Sequence, residues 1–319
     1  MQVQEDQALF SGFRFQAGGA MDVRIRYATA GTPELDENGA VVNAVLLLHG
    51  TGSSSAALLT PDFEEALYGP GKPLDAARHL LVFIDSLGHG ASSKPSDGLR
   101  GRFPMYGYGD MVALQHRVVT HALGLRSLRA IVGMSMGGMH AWMWAERHPE
   151  AVRAIVPVAA TPRRIAGRNL LWRRMVSRSI RADPDWREGN YDDASPRCWR
   201  EVYPVVRMMA DGGARLQESL TGMGEAEEFI QTAVEHAGTL DPNDLLFALE
   251  ACADYDPAPE KVRAEVVSVN FADDEFNPPA TLRASLARLP SARLALLPGG
   301  FGHLAHGFPQ LWAEELRGL

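Results

Sequence analysis

A serine hydroxyl attacks a carbonyl group only when a base takes its proton and a further group orients that base. Residues suited to those tasks occur in the order Ser135, Asp274 and His303. Ser135 is the centre of Gly133-Met134-Ser135-Met136-Gly137, between a β-branched run ending at Val132 and an alanine- and tryptophan-rich run that reads as a helix. A serine on such a sharp strand-to-helix turn is held in strained backbone geometry with its hydroxyl presented to solvent. The residues two before and two after it nearly touch, so both must be small. The helix that begins at once aims its N-terminal amides at the site and favours negative charge there. His303 follows Gly302 in a loop after the last apolar run and is the candidate base. Asp274 is the preferred orienting acid, with Asp273 as the alternative. The competing reading, a glycine-rich turn with an idle serine, does not account for the acid and the histidine.

Acyl transfer also needs donors for the oxyanion. The apolar run Val41 to Leu48 ends in His49-Gly50-Thr51-Gly52-Ser53-Ser54, a loop of small residues that lets backbone N–H groups approach a ligand. The amides of Thr51 and Met136 are the candidate donors, and Gly50, Gly52, Met134 and Leu304 are expected to border the substrate. A phosphate cradle is disfavoured because the P-loop spacing and its lysine are missing. His303 and His306 lack a third ligand at fitting spacing, so no metal and no cofactor is expected. His89, in Gly88-His89-Gly90, reads as a structural histidine holding a turn. Arg163, Arg164, Arg168, Arg173 and Arg174 read as a solvated helix face; the weaker reading is a site for an anionic substrate.

The elements that must position these groups follow from periodicity. Residues 10–30 alternate as an antiparallel hairpin around Gly18-Gly19. Buried strands are expected at 41–48, 80–84, 128–132, 152–158, 266–271 and 293–297, with helices at 110–123, 136–147, 279–289 and from Pro309 onward. Alternation of strand and helix implies a mostly parallel sheet with helices on both faces. It breaks between about Pro162 and Pro259, where the chain is helical in tendency, rich in tryptophan and methionine, and turns at Asp183-Pro184, Asp211-Gly212-Gly213 and Asp241-Pro242. The expected organisation is a core over 1–161, a helical cap over 162–260 and the rest of the core over 261–319. The cap's large side chains are expected to form its own core more often than to line a pocket.

Composition limits the alternatives. The chain has 319 residues, 46% of them hydrophobic, enough for one large domain. A net charge of −8 argues against a nucleic-acid partner and against a polybasic membrane anchor. Two cysteines far apart give no disulfide framework, no apolar run approaches a membrane span of ~20 residues, and the first ten residues lack the regions of a secretory signal. A cytoplasmic location is therefore expected.

Serine, acid and histidine in that order, each after a strand, belong to the α/β-hydrolase arrangement, in which a proline such as Pro278 follows the acid at about this distance. The chain resembles the homoserine O-acetyltransferase (MetX-like) group of that superfamily. The resemblance rests on Met111-Val112 through Gln115-His116-Arg117, on Gly133 to Met139, and on Ile180-Arg181-Ala182-Asp183-Pro184-Asp185-Trp186 to Gly189-Asn190-Tyr191. Asp241-Pro242-Asn243, Asp254-Tyr255-Asp256 and Gly302-His303 also match. It implies an α/β-hydrolase fold with an inserted helical cap, a triad of Ser135, Asp274 and His303, an acyl-serine intermediate and a homodimer built through the cap helices.

The departures bear on the substrate. In the acetyltransferases an acid follows the catalytic histidine and meets the substrate's amino group; here that residue is Leu304. Their cap arginine, which meets the substrate carboxylate, aligns with Glu235. The loop Gly88-His89-Gly90-Ala91-Ser92 has the form common in hydrolases. Homoserine is therefore disfavoured, since an ammonium against leucine or a carboxylate near glutamate is unfavourable. The expected activity is that of a carboxylesterase acting on a small to medium, largely apolar ester, with transfer of the acyl group to another alcohol or amine as the second reading. A non-catalytic ligand-binding protein on the same fold is the third.

Overall fold

The computed structural model describes residues 1–191, 196–287, 289 and 292–319. An eight-stranded sheet in the order β1-β2-β4-β3-β5-β6-β7-β8 forms its centre. Strands β1 (Val3–Arg14) and β2 (Ala20–Gly31) make the expected hairpin, and β2 also runs antiparallel to β4 (Leu80–Ile84). From β4 the sheet continues in parallel through β3 (Ala44–Leu48), β5 (Leu128–Met134), β6 (Val152–Val158), β7 (Glu265–Phe271) and β8 (Ala292–Leu297). Parallel strands covered on both faces read as nearly continuous apolar runs. In β3, Ala44, Leu46 and Leu48 enter the core on one face of the sheet while Val45 and Leu47 enter the core on the other. Burying each such leucine contributes about 1.5–3 kcal/mol, so the continuous apolar run fixes the strand in the middle of the sheet.

Helices α2 (Tyr108–Arg117) and α3 (Met136–Arg147) cover the first face, where Met111, Leu114, Met139 and Trp142 pack. The single turn α1 (Pro61–Phe63) and the C-terminal segment cover the second, through Phe63 and Trp312. Between β6 and β7 lie α4 (Gly167–Ala182), α5 (Tyr203–Ala210), α6 (Gly213–Ser219), α7 (Met223–Gly238) and α8 (Pro242–Glu250). Asp241 caps α8, its carboxylate accepting from the amides of Asn243 and Asp244. Trp172, Val176, Ile180, Trp199, Leu246 and Leu249 form a separate core within this helical segment. Residues 192–195 of the expected cap lie outside the described residues. Helix α9 (Pro279–Leu286) joins β7 to β8.

Several boundaries differ from expectation. Strand β1 starts at Val3, because its first residues are a solvent-exposed edge with no buried face to produce alternation. Strand β3 starts at Ala44, and Val41 instead makes an isolated bridge to Leu35. Helix α2 gives way to a π-turn over Val118–Ala122, and α9 ends at Leu286, short of the expected 289; residue 288 lies outside the described residues. The expected helix from Pro309 is replaced by 3-10 turns at Pro309–Leu311 and Ala313–Leu316. Trp312 between them leaves helical geometry to bury its indole edge-on against Phe63, with its ring N–H donating to the carbonyl of His306. Packing of one large side chain outweighs local helix propensity there.

The turn at Ser135 depends on three close approaches, two to backbone and one to the Ala160 methyl. A Cβ at Gly133 would stand 2.2 Å from the carbonyl oxygen of Gly137, and one at Gly137 would stand 2.4 Å from that of Leu48. A Cβ at Gly138 would meet that of Ala160 at 2.6 Å. Gly133→Ala is expected to lower stability by about 3 kcal/mol or more, since backbone rather than a flexible side chain must give way. Gly224→Ala, where a Cβ meets nothing within 4 Å, should change it by less than about 0.5 kcal/mol. Urea unfolding of both variants checks this, and equal midpoints for the two would contradict the close-contact argument.

Candidate active site

Ser135 has φ 52° and ψ −108°, a backbone conformation that residues other than glycine rarely adopt. Its amide donates to the carbonyl of Val158 in β6, and the amide of Gly137 donates to the carbonyl of His49. The turn is thereby fastened to the strand on one side and to the loop after β3 on the other. Two loops from the far end of the sheet then reach it. Ser135 Oγ lies 2.9 Å from His303 Nε2, and His303 Nδ1 lies 2.9 Å from Asp274 Oδ2, all three residues being buried. With Nδ1 donating to the carboxylate, Nε2 is left to accept the serine proton.

The two adjacent aspartates divide the work. Asp274 Oδ1 accepts from the amides of Phe276 and Asn277, which leaves Oδ2 for the histidine. Burial alone would raise the Asp274 carboxyl, but the charge and hydrogen bond of His303 and those two amides outweigh it and hold it below the usual carboxylate range. Asp273 Oδ2 instead accepts from the amides of Gly300 and Gly302 and so ties down the loop that carries His303.

The loop after β3 is held by a different device. His49 Nε2 accepts from the amide of Ser86, so its proton resides on Nδ1, which donates to the carbonyl of Gly50. Gly50 then lies beside Ser135, where a Cβ would make ordinary van der Waals contact with the serine Cβ at 3.6 Å. The amides of Thr51 and Met136 donate to no protein group among the described residues. His89, as expected, serves its turn: its Nδ1 lies 3.0 Å from the carbonyl of Leu87 and its ring packs against His49.

A cavity of about 500 Å³ opens over Ser135 and His303. Gly50, Thr51, Gly52, Met134 and Leu304 all line it, as do His306 and Asn169. One wall is apolar: Trp172 stacks on Phe276 at 5.3 Å, Phe276 lies 4.8 Å from the His303 ring, and Val206, Leu245 and Leu304 complete it. Met175 and Met208, expected in the cap core or pocket, are instead exposed.

Two readings of charge need correction. Glu235 is exposed on α7, accepts from Gln231 and does not border the cavity, so it does not exclude a carboxylate from it. Of the five arginines expected on a solvated face, Arg163, Arg164, Arg168 and Arg174 are exposed, but Arg173 is 2% exposed and lines the cavity. Its position was legible in principle. Asn169, Trp172, Arg173, Val176, Ser177 and Ile180 share the buried face of α4 at helical spacing.

The description "alpha/beta hydrolase fold" fits residues 43–308 as a family match. The chain belongs to the α/β-hydrolase fold family. Its relatives include a homoserine O-acetyltransferase of Trichormus variabilis, 30% identical over 91% of this chain and 86% of that protein, which puts the chain in the MetX-like group. The fold is shared with the homoserine O-acetyltransferase of Bacillus anthracis, with a TM-score of 0.87 at 21% identity over 99% of this chain and 97% of that one. It is shared equally with esterase E22, with a TM-score of 0.85 at 20% identity over 99% of each chain. One architecture thus carries both kinds of activity. Among the described residues no helix is long and apolar enough to cross a membrane, and no cluster of metal-ligating side chains occurs.

Burial pushes His89 and His306 down to about 3, the first further lowered by His49 and the second by His303. An unfolded chain takes up these protons near pH 6.5, whereas the folded one refuses them until about pH 3. Stability is therefore complete above pH 6.5 and falls on acidification, by up to about 1.4 kcal/mol per pH unit for each such histidine. Urea midpoints should drop from pH 7.5 to 5.0, and His89→Asn should make that drop shallower. A midpoint that does not move over this range would show that the buried histidines are not held neutral.

Proposed function

We propose that the protein is a serine acyl hydrolase of the carboxylesterase type. The observation that carries this reading is the hydrogen-bonded series from Ser135 Oγ through the His303 ring to Asp274 at the floor of a largely apolar cavity. Ser135 Oγ adds to the ester carbonyl while His303 Nε2 takes its proton. The amides of Thr51 and Met136 stabilise the oxyanion, and the protonated histidine then gives its proton to the departing alcohol. Water, deprotonated by the same histidine, releases the acid and restores the serine. Leu304 beside the base supports hydrolysis over transfer to homoserine, because it offers no charge to the amino group of that acceptor.

The second reading is acyl transfer to an alcohol or amine other than homoserine, favoured by the acetyltransferase relative. Both readings share the acyl-serine and differ in what attacks it.

Ser135→Ala is expected to abolish turnover of p-nitrophenyl acetate with the fold unchanged by circular dichroism. Rapid quenching of the native enzyme should show one acetyl group on the peptide that contains Ser135. Asp274→Asn should slow turnover by on the order of a thousandfold or more through the wrong histidine tautomer, and Asp273→Asn by far less. Activity retained without Ser135, or the two aspartates exchanging effects, would overturn the assignment. Release in water that is indifferent to added alcohols and amines supports the hydrolase; release that depends on one acceptor supports transfer.

A further inference from the structure

We propose that Arg173 is the recognition point for a carboxylate carried by the ester substrate, so that the enzyme selects monoanionic esters over their neutral isosteres. The inference rests on the hydrolase reading above and names its substrate class.

Arg173 is almost wholly removed from solvent and yet lines the cavity that holds Ser135 and His303. Its Nε donates to Asn169 Oδ1 at 3.1 Å and its Nη2 to Thr51 Oγ1 at 3.2 Å. Thr51 belongs to the loop whose amide is the proposed oxyanion donor, so the guanidinium stands beside the reacting end of the cavity. Nη1 has no hydrogen-bond partner, and among the described residues no carboxylate pairs with the group. The ring of Trp172 lies 4.9 Å from its centre and its buried indole N–H is also unpartnered.

A buried guanidinium cannot escape the cost of desolvation by losing its proton, as a lysine would, and it is stabilised by an anion that meets its fork. A carboxylate is the planar, bidentate acceptor that fits. The other fixed charges on the cavity wall do not neutralise it. Asp62 is exposed, Arg207 adds a further positive charge, and His306 is held neutral by burial. Apolar contact from Phe276, Val206, Leu245 and Leu304 suits a short hydrocarbon spacer between the ester and the carboxylate. Leu304 gives no partner to an ammonium, which sets the inferred substrate apart from an amino-acid ester. The remaining explanation, that Arg173 only braces Thr51, predicts equal losses for neutral and anionic esters.

The test compares kcat/KM within two pairs of equal carbon chain. Monoethyl glutarate against ethyl valerate places the charge on the acyl side, and 3-acetoxypropanoate against propyl acetate places it on the alcohol side. In one pair the native enzyme should prefer the anion by about tenfold or more, and Arg173→Met should reduce that ratio about tenfold, the scale of one charge-assisted hydrogen bond. Arg173→Lys should recover part of it, since it keeps the charge but not the fork. The ratio is read within each variant, so a general slowing does not imitate the effect. Arg173→Gln serves if the methionine variant does not fold.

Calorimetric titration of glutarate into Ser135→Ala reads anion binding without turnover, and the heat should vanish on adding Arg173→Met. Ester turnover with no anion preference and no glutarate binding overturns this proposal and leaves the hydrolase reading standing. Glutarate binding through Arg173 without turnover of any ester overturns the hydrolase reading instead. A preference lost in Arg207→Met but kept in Arg173→Met would move the site to α5 and refute the assignment.

Discussion

The approach of three backbone segments around Ser135 is the constraint on which the rest depends. Gly133, Gly137 and Leu48 belong to β5, α3 and β3, and no side-chain carbon fits between them. The serine is held at positive φ because β5 must end and α3 must begin within a single residue. Such strain persists only where the surroundings over-determine it. Here the amide of Ser135 is fixed by β6 and that of Gly137 by the loop after β3. The strand order that brings β3 and β6 to either side of β5 is thus a condition for the turn.

The loops that bring the remaining groups are fixed by hydrogen bonds from buried polar side chains. Asp274 spends one oxygen on its own turn and presents the other to His303. Asp273 spends an oxygen on the histidine loop. His49 joins the loops after β3 and β4, and the neighbouring Gln115 links Ser86, His140 and Trp144 behind it. Each side chain named in this network makes at least one such bond, and His140 Nε2 is left without a partner. Its histidines are neutral, pressed down by burial, so this region adds little fixed charge behind the serine. The helical segment docks on the same scaffold. A Cβ at Gly212 would stand 2.2 Å from the carbonyl of Gly300, which brings the turn after α5 against the loop of His303.

What could be read from the sequence follows from how local each signal is. Strands β4 and β6 matched to the residue, because a strand buried on both faces is a nearly continuous apolar run, broken in β6 only by the exposed Arg153. The meeting of Ser135, Asp274 and His303 was legible because small residues and turns mark the C-terminal ends of parallel strands. The C-terminal turns were not, since a proline and a leucine-rich tail imitate a helix while Trp312 is drawn into the core from a distance. Edge strand β1 was legible only where it faces the core. Asp273 and Asp274 could be ranked only by a family spacing, because which carboxylate turns toward the histidine depends on who satisfies the other oxygens.

Charge was the least legible property, and it bears most on substrate. The resemblance put Glu235 near the substrate, yet that side chain faces solvent. A guanidinium enters the cavity from another helix, five residues after the exposed Arg168 and beside the exposed Arg174. Position on a helix face, not membership of a basic cluster, separates these residues. On α4 the buried face is set by Trp172, Val176 and Ile180, and Arg173 falls within it. Its methylene stem can pack in that face while the head reaches the cavity, as amphipathic side chains do. On the proposed reading, Leu304 beside His303 gives an ammonium no partner while Arg173 gives a carboxylate one, a pattern that suits a simple carboxylate over an amino acid.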